Sequence, residues 1–319
     1  MHSRLLTGLL AVCFIGRTPV LRAPHSLILS KRLVEKSNII NYNSNHRIFS
    51  TSTRNNMFKE ILKKPCAQVI PVPVLTDNYA YLLIDPKSDT AICVDPAEPR
   101  KVLSASTNNG LTISAAFCTH KHYDHSGGNA EIQRMVPGIA VYGSSYEAMP
   151  GLTAGVMDGE VIHIGSLEVT CIRAACHTVG HMMYYVTNPS EPNSQPLIFT
   201  GDTIFIAGCG RFFEGSASMM MDIITKLRKL PKDTLIYCGH EYTVKNLEFA
   251  RTVDGSDAVI RKLEWAKQVR SQGLPTVPST LADEMEYNPF MRAAILKEKV
   301  GETTEEGAMS KLRSMKDRF

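Results

Sequence analysis

Three histidines and an aspartate crowd into the seven residues THKHYDH at 119–125, in a chain of 319 residues with ten histidines in all. If residues 114–120 form a strand that runs into a loop, His120 and His122, two apart, point to the same side. Asp124 and His125 then fall on the turn entering the next helix. Imidazoles and a carboxylate converging on one point match a transition-metal site with nitrogen and oxygen ligands. A histidine-rich polar surface loop is the bland alternative. Four ligand-type residues at H-x-H-x-D-H spacing argue against it.

The later histidines extend the pattern. His177 and His181 sit in CHTVGH, directly after the β-rich run LEVTCIRA. Asp202 closes the apolar run LIFTGD and His240 closes LIYCGH, each beside a glycine (Gly201, Gly239). A lone Asp or His at a strand end is usually a turn former or a cap. Alongside THKHYDH, these four read as further parts of one site at one sheet edge. Of the histidines after residue 50, only His163 lies outside a motif.

The elements that must position these residues are legible as short β-rich runs broken by turn signals and single helical stretches. VIPVPVL, AYLLID, AICVDP, SAAFCTH and AVYGS form a first set. EVIHIG, LEVTCIRA, MMYYVT, PLIFTGD and TLIYCGHE form a second, with a helix from about 217 to 230 between the last two. Strands interrupted by single helices, occurring twice, predict two packed sheets with helices outside. After 240 the texture becomes helical: Val259, Leu263 and Ala266 keep one apolar face, and Thr280…Asp283 and Thr303…Glu306 have capping-box spacing. The expected division is a leader at 1–49, a linker at 50–65, a catalytic domain at 66–240 and a helical domain at 241–319.

Charge and cysteine content narrow the setting. The net charge of +4 belongs to residues 1–49, which carry seven Lys or Arg and one acid, so the remainder is slightly acidic and offers nucleic acid no basic footprint. An Arg-rich, nearly acid-free leader ending in RIFSTS reads as a mitochondrial transit peptide. The apolar run at 5–15 keeps a secretory signal as the competing reading, and Met57 offers an internal start for a cytosolic form. No apolar run is long enough for a membrane helix. Eight cysteines without a CxxC pair argue for a reducing compartment and for thiols used as small core residues.

T-H-x-H-x-D-H, C-H-T-x-G-H, F-T-G-D-T and Y-C-G-H-E-Y, with TDNY at 76–79, GCGRFFEG at 208–215 and VPSTLADE at 277–284, resemble the metallo-β-lactamase superfamily. Within it they resemble the glyoxalase II, or hydroxyacylglutathione hydrolase, family. The resemblance runs from about residue 69 to 319. It implies an α+β fold, an αββα sandwich with a helical substrate-binding domain, and two divalent metal ions at one edge. It further implies that His120, His122 and His177 hold one ion, that Asp124, His125 and His240 hold the other, and that Asp202 bridges them. Zinc is the expected metal, with iron or manganese also suited to imidazole–carboxylate ligands. His181 matches a position that is not a ligand and is expected to orient the loop around His177.

The implied reaction is hydrolysis of S-D-lactoylglutathione and other S-2-hydroxyacylglutathiones to glutathione and a 2-hydroxy acid. In it a water acidified by two cations attacks the thioester carbonyl, with Asp124 able to accept its proton. No serine or cysteine nucleophile is needed, so Cys176 is read as packing. Arg211, Phe213, Tyr242, Arg313 and Lys316 match the glutathione contacts of the family, although Phe213 lacks the hydroxyl that some relatives carry there. A monomer is expected. The rival of the same fold is a mitochondrial glutathione persulfide dioxygenase with one iron; the rival of another class is a silent glutathione-binding or metal-storing module. The full seven-residue ligand set and the helical extension favour the hydrolase.

Overall fold

The computed structural model describes residues 64–319. The leader, Met57 and almost all of the linker lie outside the described residues. The first sheet is built from β1 (Gln68–Val74), β2 (Asn78–Ile84), β3 (Thr90–Val94), β4 (Thr112–Phe117), β5 (Ala140–Ser144) and β6 (Ala154–Val156), hydrogen-bonded in that order. Pro71 and Pro73 are tolerated because β1 is the edge strand and needs donors on one side only. Strands β3 to β6 run parallel, and helices α1 (Pro99–Asn108), α2 (Tyr123–Ser126) and α3 (Asn129–Met135) occupy the connections.

The second sheet begins with β7 (Val161–Ile164), β8 (Leu167–Arg173), β9 (Met182–Thr187) and β10 (Leu197–Gly201). A two-stranded ribbon, β11 (Ile204–Phe205) with β12 (Gly208–Cys209), and helix α4 (Ala217–Arg228) follow. Strand β13 (Leu235–Cys238) then pairs parallel with β10. Beyond it come α5 (Thr243–Val253), α6 (Asp257–Ser271), β14 (Ser279–Thr280), α7 (Leu281–Tyr287), α8 (Ala293–Leu296) and α9 (Glu305–Arg318). The segment after 240 therefore does more than add helices: β14 pairs antiparallel with β13 and becomes the edge of the second sheet.

Three apolar clusters show the layering. Tyr81, Phe117, Tyr184, Phe199 and Tyr237 fill the space between the sheets. Val102 of α1 and Ile132 of α3 pack on the outer face of the first sheet. Ile223, Ile224 and Leu227 of α4, Phe249 of α5, and Met309 and Leu312 of α9 pack on the outer face of the second. Strands covered on both faces, such as β2 and β10, are buried almost throughout, which is why they read as continuous apolar runs. The arrangement is the αββα sandwich that the sequence predicts.

Thr280 caps α7 through the Asp283 amide as its spacing suggests, whereas α9 is capped by Thr304, not Thr303, through the Gly307 amide. All seven cysteines from Cys66 to Cys238 are buried and free.

A candidate metal centre at the sheet edge

Strands β8, β10 and β13 run the same way, because β10–β13 are parallel and β9 reverses between β8 and β10, and the segment after β4 of the first sheet meets the second sheet through Thr119 and Met182. The chain therefore delivers His120 and His122 after β4, His177 after β8, Asp202 after β10 and His240 after β13 to the same place. Asp124 and His125 arrive on α2. The sheets are stitched together there by Tyr79 N–H to Gly239 O (2.8 Å), Glu241 N–H to Asp77 O (2.8 Å) and Met182 N–H to Thr119 O (2.8 Å).

Two groups of donor atoms result, linked by one carboxylate. His122 Nδ1 lies 3.0 Å from both His120 Nε2 and His177 Nε2. His240 Nε2 lies 3.3 Å from His125 Nε2 and from Asp124 Oδ2. Asp202 reaches both groups, with Oδ2 3.4 Å from His177 Nε2 and from His240 Nε2, and Oδ1 3.3 Å from His125 Nε2. Ligand atoms around one tetrahedral zinc lie about 3.3 Å apart, given bonds of about 2.0–2.1 Å. The spacings are those of coordination polyhedra.

Hydrogen bonds on the outer side fix which ring nitrogen faces in. His177 Nδ1 lies 3.0 Å from Arg211 O, a carbonyl that can only accept. His125 Nδ1 meets the Asp95 carboxylate at 2.9 Å, and His240 Nδ1 meets Asp77 at 2.9 Å. The Thr119 hydroxyl donates to Asp95 Oδ2 (2.8 Å), so toward His120 Nδ1 (3.1 Å) it accepts. Each Nδ1 therefore carries the proton, and four Nε2 lone pairs point inward. Nitrogens and oxygens opposed at such distances share a cation between them, a metal ion or, in its absence, a proton. Asp202 Oδ1 says the same: it is buried and accepts no hydrogen bond. The residues fit divalent cations.

Electrostatics of the site without metal follow. Burial, reinforced by neighbouring imidazoles, holds His120 well below its ordinary pKa. Burial opposes charging of His125 and His240 too, but the Asp202 carboxylate, with Asp95 beside His125 and Asp124 beside His240, outweighs it. His125 is held well above the usual range and His240 is raised to about 10. Burial disfavours the Asp202 carboxylate, yet the imidazoles around it hold its pKa well below the usual value.

His181 is placed differently from the expectation. Its Nε2 accepts the Asp202 amide N–H (3.1 Å) and its Nδ1 pairs with Thr203 Oγ1 (3.1 Å), so it orients the turn that carries Asp202. Its ring also stacks on His120, centroids 4.8 Å apart. Two glycines leave room for this packing. A Cβ on Gly239 would sit 2.5 Å from Asp202 Oδ1, and one on Gly201 (φ +46°) 2.7 Å from His181 Nε2.

Phe213 and Tyr242 flank the two groups. The Phe213 ring, 59 % exposed, lies 5.1 Å from the His177 ring and 5.9 Å from that of His122. Tyr242 stacks on His240 at 4.6 Å, and burial followed by the nearby carboxylates raises its pKa, keeping the phenol protonated. Arg211, whose carbonyl holds His177, extends its side chain to Asp317 (3.4 Å). Arg313 turns inward, donating to Cys209 O (2.8 Å) and pairing with Asp317 (3.0 Å). Its Nε is buried without a partner. Lys316 donates to Lys245 O (3.1 Å), and burial together with Arg313 lowers its pKa to about 8. The structure thus adds residues the sequence reading did not assign: Asp77 and Asp95 behind the imidazoles, Asn78, whose Nδ2 holds Asp124 Oδ2 at 2.9 Å, and Asp317 among the cations.

A family model described as hydroxyacylglutathione hydrolase C-terminus matches residues 241–319, and that of the metallo-beta-lactamase superfamily matches residues 79–240. The cytoplasmic hydroxyacylglutathione hydrolase of Arabidopsis thaliana is 44% identical over 257 residues, 79% of this chain and 99% of the relative. The hydroxyacylglutathione hydrolase of Dictyostelium discoideum is 40% identical over 268 residues, 79% of this chain and 100% of the relative. A metallo-beta-lactamase structure from Staphylococcus aureus superposes with a TM-score of 0.56 at 20% identity, over 80% of this chain and 72% of that one, and shares the fold. The chain belongs to the hydroxyacylglutathione hydrolase family of the metallo-β-lactamase superfamily.

Proposed function

We propose that this chain hydrolyses the thioester of S-2-hydroxyacylglutathiones, S-D-lactoylglutathione foremost, to glutathione and a 2-hydroxy acid. The observation that carries the reading is the complete double donor set joined by Asp202, with Arg211 tying it to the cationic cluster: one residue orients His177 and faces Asp317. His120, His122 and His177 would hold one divalent ion, Asp124, His125 and His240 a second, and Asp202 both; zinc suits this mixture of imidazole and carboxylate. Ions held there supply Lewis acidity, which polarises a carbonyl and acidifies water near pH 7.

The chain's own residues do the rest. Asp124, with a side chain 39% exposed against 9% for Asp202, is the more accessible carboxylate and able to take a proton, while Asn78 keeps it oriented. Tyr242 stays a phenol and can donate a hydrogen bond to bound substrate. Arg211, Arg313 and Lys316 supply positive charge for the two carboxylates of the glutathionyl group. Phe213 offers an apolar ring and no hydroxyl beside His177. A one-iron dioxygenase would leave the Asp124–His125–His240 group without a task.

The working division remains a catalytic part at 66–240 and a glutathione-binding part at 241–319, acting as a monomer. The composition of the leader supports delivery to the mitochondrial matrix, with a cytosolic form starting at Met57. Among the described residues no helix is long and apolar enough to cross a membrane. Steady-state hydrolysis of S-D-lactoylglutathione by the wild type and by Asp202→Ala tests the function. The variant should lose activity by orders of magnitude, whereas hydrolysis retained by metal-depleted enzyme would overturn the mechanism.

A further inference from the structure

Glu147 lies in the loop between β5 and β6, carries no role in the chemistry above, and has a side chain only 1% exposed. Its two oxygens are divided between two other loops. Oε1 accepts the backbone N–H of Lys121 at 2.8 Å, the residue between ligands His120 and His122. Oε2 accepts the backbone N–H of Gly180 at 3.1 Å, in the loop that carries His177. The Lys121 ammonium faces the same carboxylate at 3.8 Å and pairs with Glu214 at 2.7 Å. Glu214 in turn accepts the Val179 N–H at 2.8 Å and adjoins Phe213, the ring against His122 and His177.

We propose that Glu147, completed by Lys121 and Glu214, is a positioning residue that holds His120, His122 and His177 in register as one metal-binding group. The three ligands come from two loops, and among the described residues this buried carboxylate is the only side chain that bonds the backbone of both. A carboxylate can accept from both N–H groups at once; an amide can accept from one and sets its own donors against the other. The charge is balanced by Lys121 rather than by a ligand, so the clamp works without competing for the ion. The second group is braced by Asp77 and Asp95 rather than by Glu147, although Asp95 also accepts from Thr119 beside His120, and it should not feel Glu147.

The inference rests on the reading of two metal groups, and its test separates the two. Wild-type protein loaded with zinc is mixed with excess chelator and the release of ions is followed in time. His240→Ala, which removes a ligand of the other group, identifies the phase that belongs to His120, His122 and His177. Glu147→Gln should quicken that phase about tenfold, in line with other supports of metal ligands, and leave the other phase as it was. If Glu147→Gln does not fold, Lys121→Met serves: it keeps both backbone bonds, removes the balancing cation and should quicken the same phase by a smaller factor. Equal acceleration of both phases, or of neither, would overturn the assignment. Release of a single ion per wild-type chain would overturn the two-group reading itself, and the assignment with it.

Discussion

Asp95→Asn is an isosteric change that should unseat a metal without touching a ligand. Asp95 Oδ1 accepts the Thr119 N–H at 2.7 Å, while Oδ2 accepts both the Thr119 hydroxyl at 2.8 Å and His125 Nδ1 at 2.9 Å. Asparagine can keep the first bond through its oxygen, but its NH2 replaces the acceptor of the other two. It then faces two donors. Relief comes only if His125 moves its proton to Nε2, or if the Thr119 hydroxyl turns round and donates to His120 Nδ1, which forces the same shift there. Either way one inward lone pair is lost. A hydrogen bond to a charged group is worth about 1.5–3 kcal/mol, so a loss near 2 kcal/mol, about 30-fold in metal affinity, is expected. Competition with a chromophoric chelator measures it, and circular dichroism should show an intact fold, because the Asp95 side chain is only 4% exposed and asparagine matches its volume. Metal affinity equal to wild type would refute the claim that outward hydrogen bonds set the ligand tautomers.

Other expectations follow from the same geometry. Gly239→Ala places a methyl 2.5 Å from Asp202 Oδ1 and 2.7 Å from His125 Cε1, so it should reduce metal content and activity together; full metal content would contradict the close fit. The thiols should be inert. Burial raises Cys176 to about 12, Cys66, Cys93, Cys171 and Cys238 likewise, and Cys209 to about 11, so at pH 8 almost no thiolate exists. A thiol reagent should find these cysteines only after unfolding, and Cys176→Ser should retain most activity; inactivity of a folded, metal-loaded Cys176→Ser would restore a role for the thiol.

What was legible in the sequence is what sits in line with it. The candidate ligands could be read because His120, His177, Asp202 and His240 each follow a β-rich run, and β10 and β13 run parallel to the same edge. The groups behind the ligands could not. Asp77 serves His240 from 163 residues away and Asp95 serves His125 from 30 away, and a strand-end aspartate by itself signals a turn. The TDNY motif contains two of the supporting residues, so the pattern marked the place before the structure supplied the reason. His181 bonds the Asp202 turn, a contact that exists only once β8, β9 and β10 are assembled. Arg313 and Lys316, three apart, read as one cationic face. The fold turns Arg313 inward because the Cys209 carbonyl and Asp317 await it, and no periodicity in α9 could announce a carbonyl on β12.

The central claim is that two divalent ions, held by seven side chains, hydrolyse a glutathione thioester. Residues 50–319, purified without chelator, should lose the thioester absorbance of S-D-lactoylglutathione rapidly while carrying close to two metal ions per chain. No hydrolysis, a single iron, and oxygen uptake with glutathione persulfide would contradict the claim and make this chain a dioxygenase on the same fold.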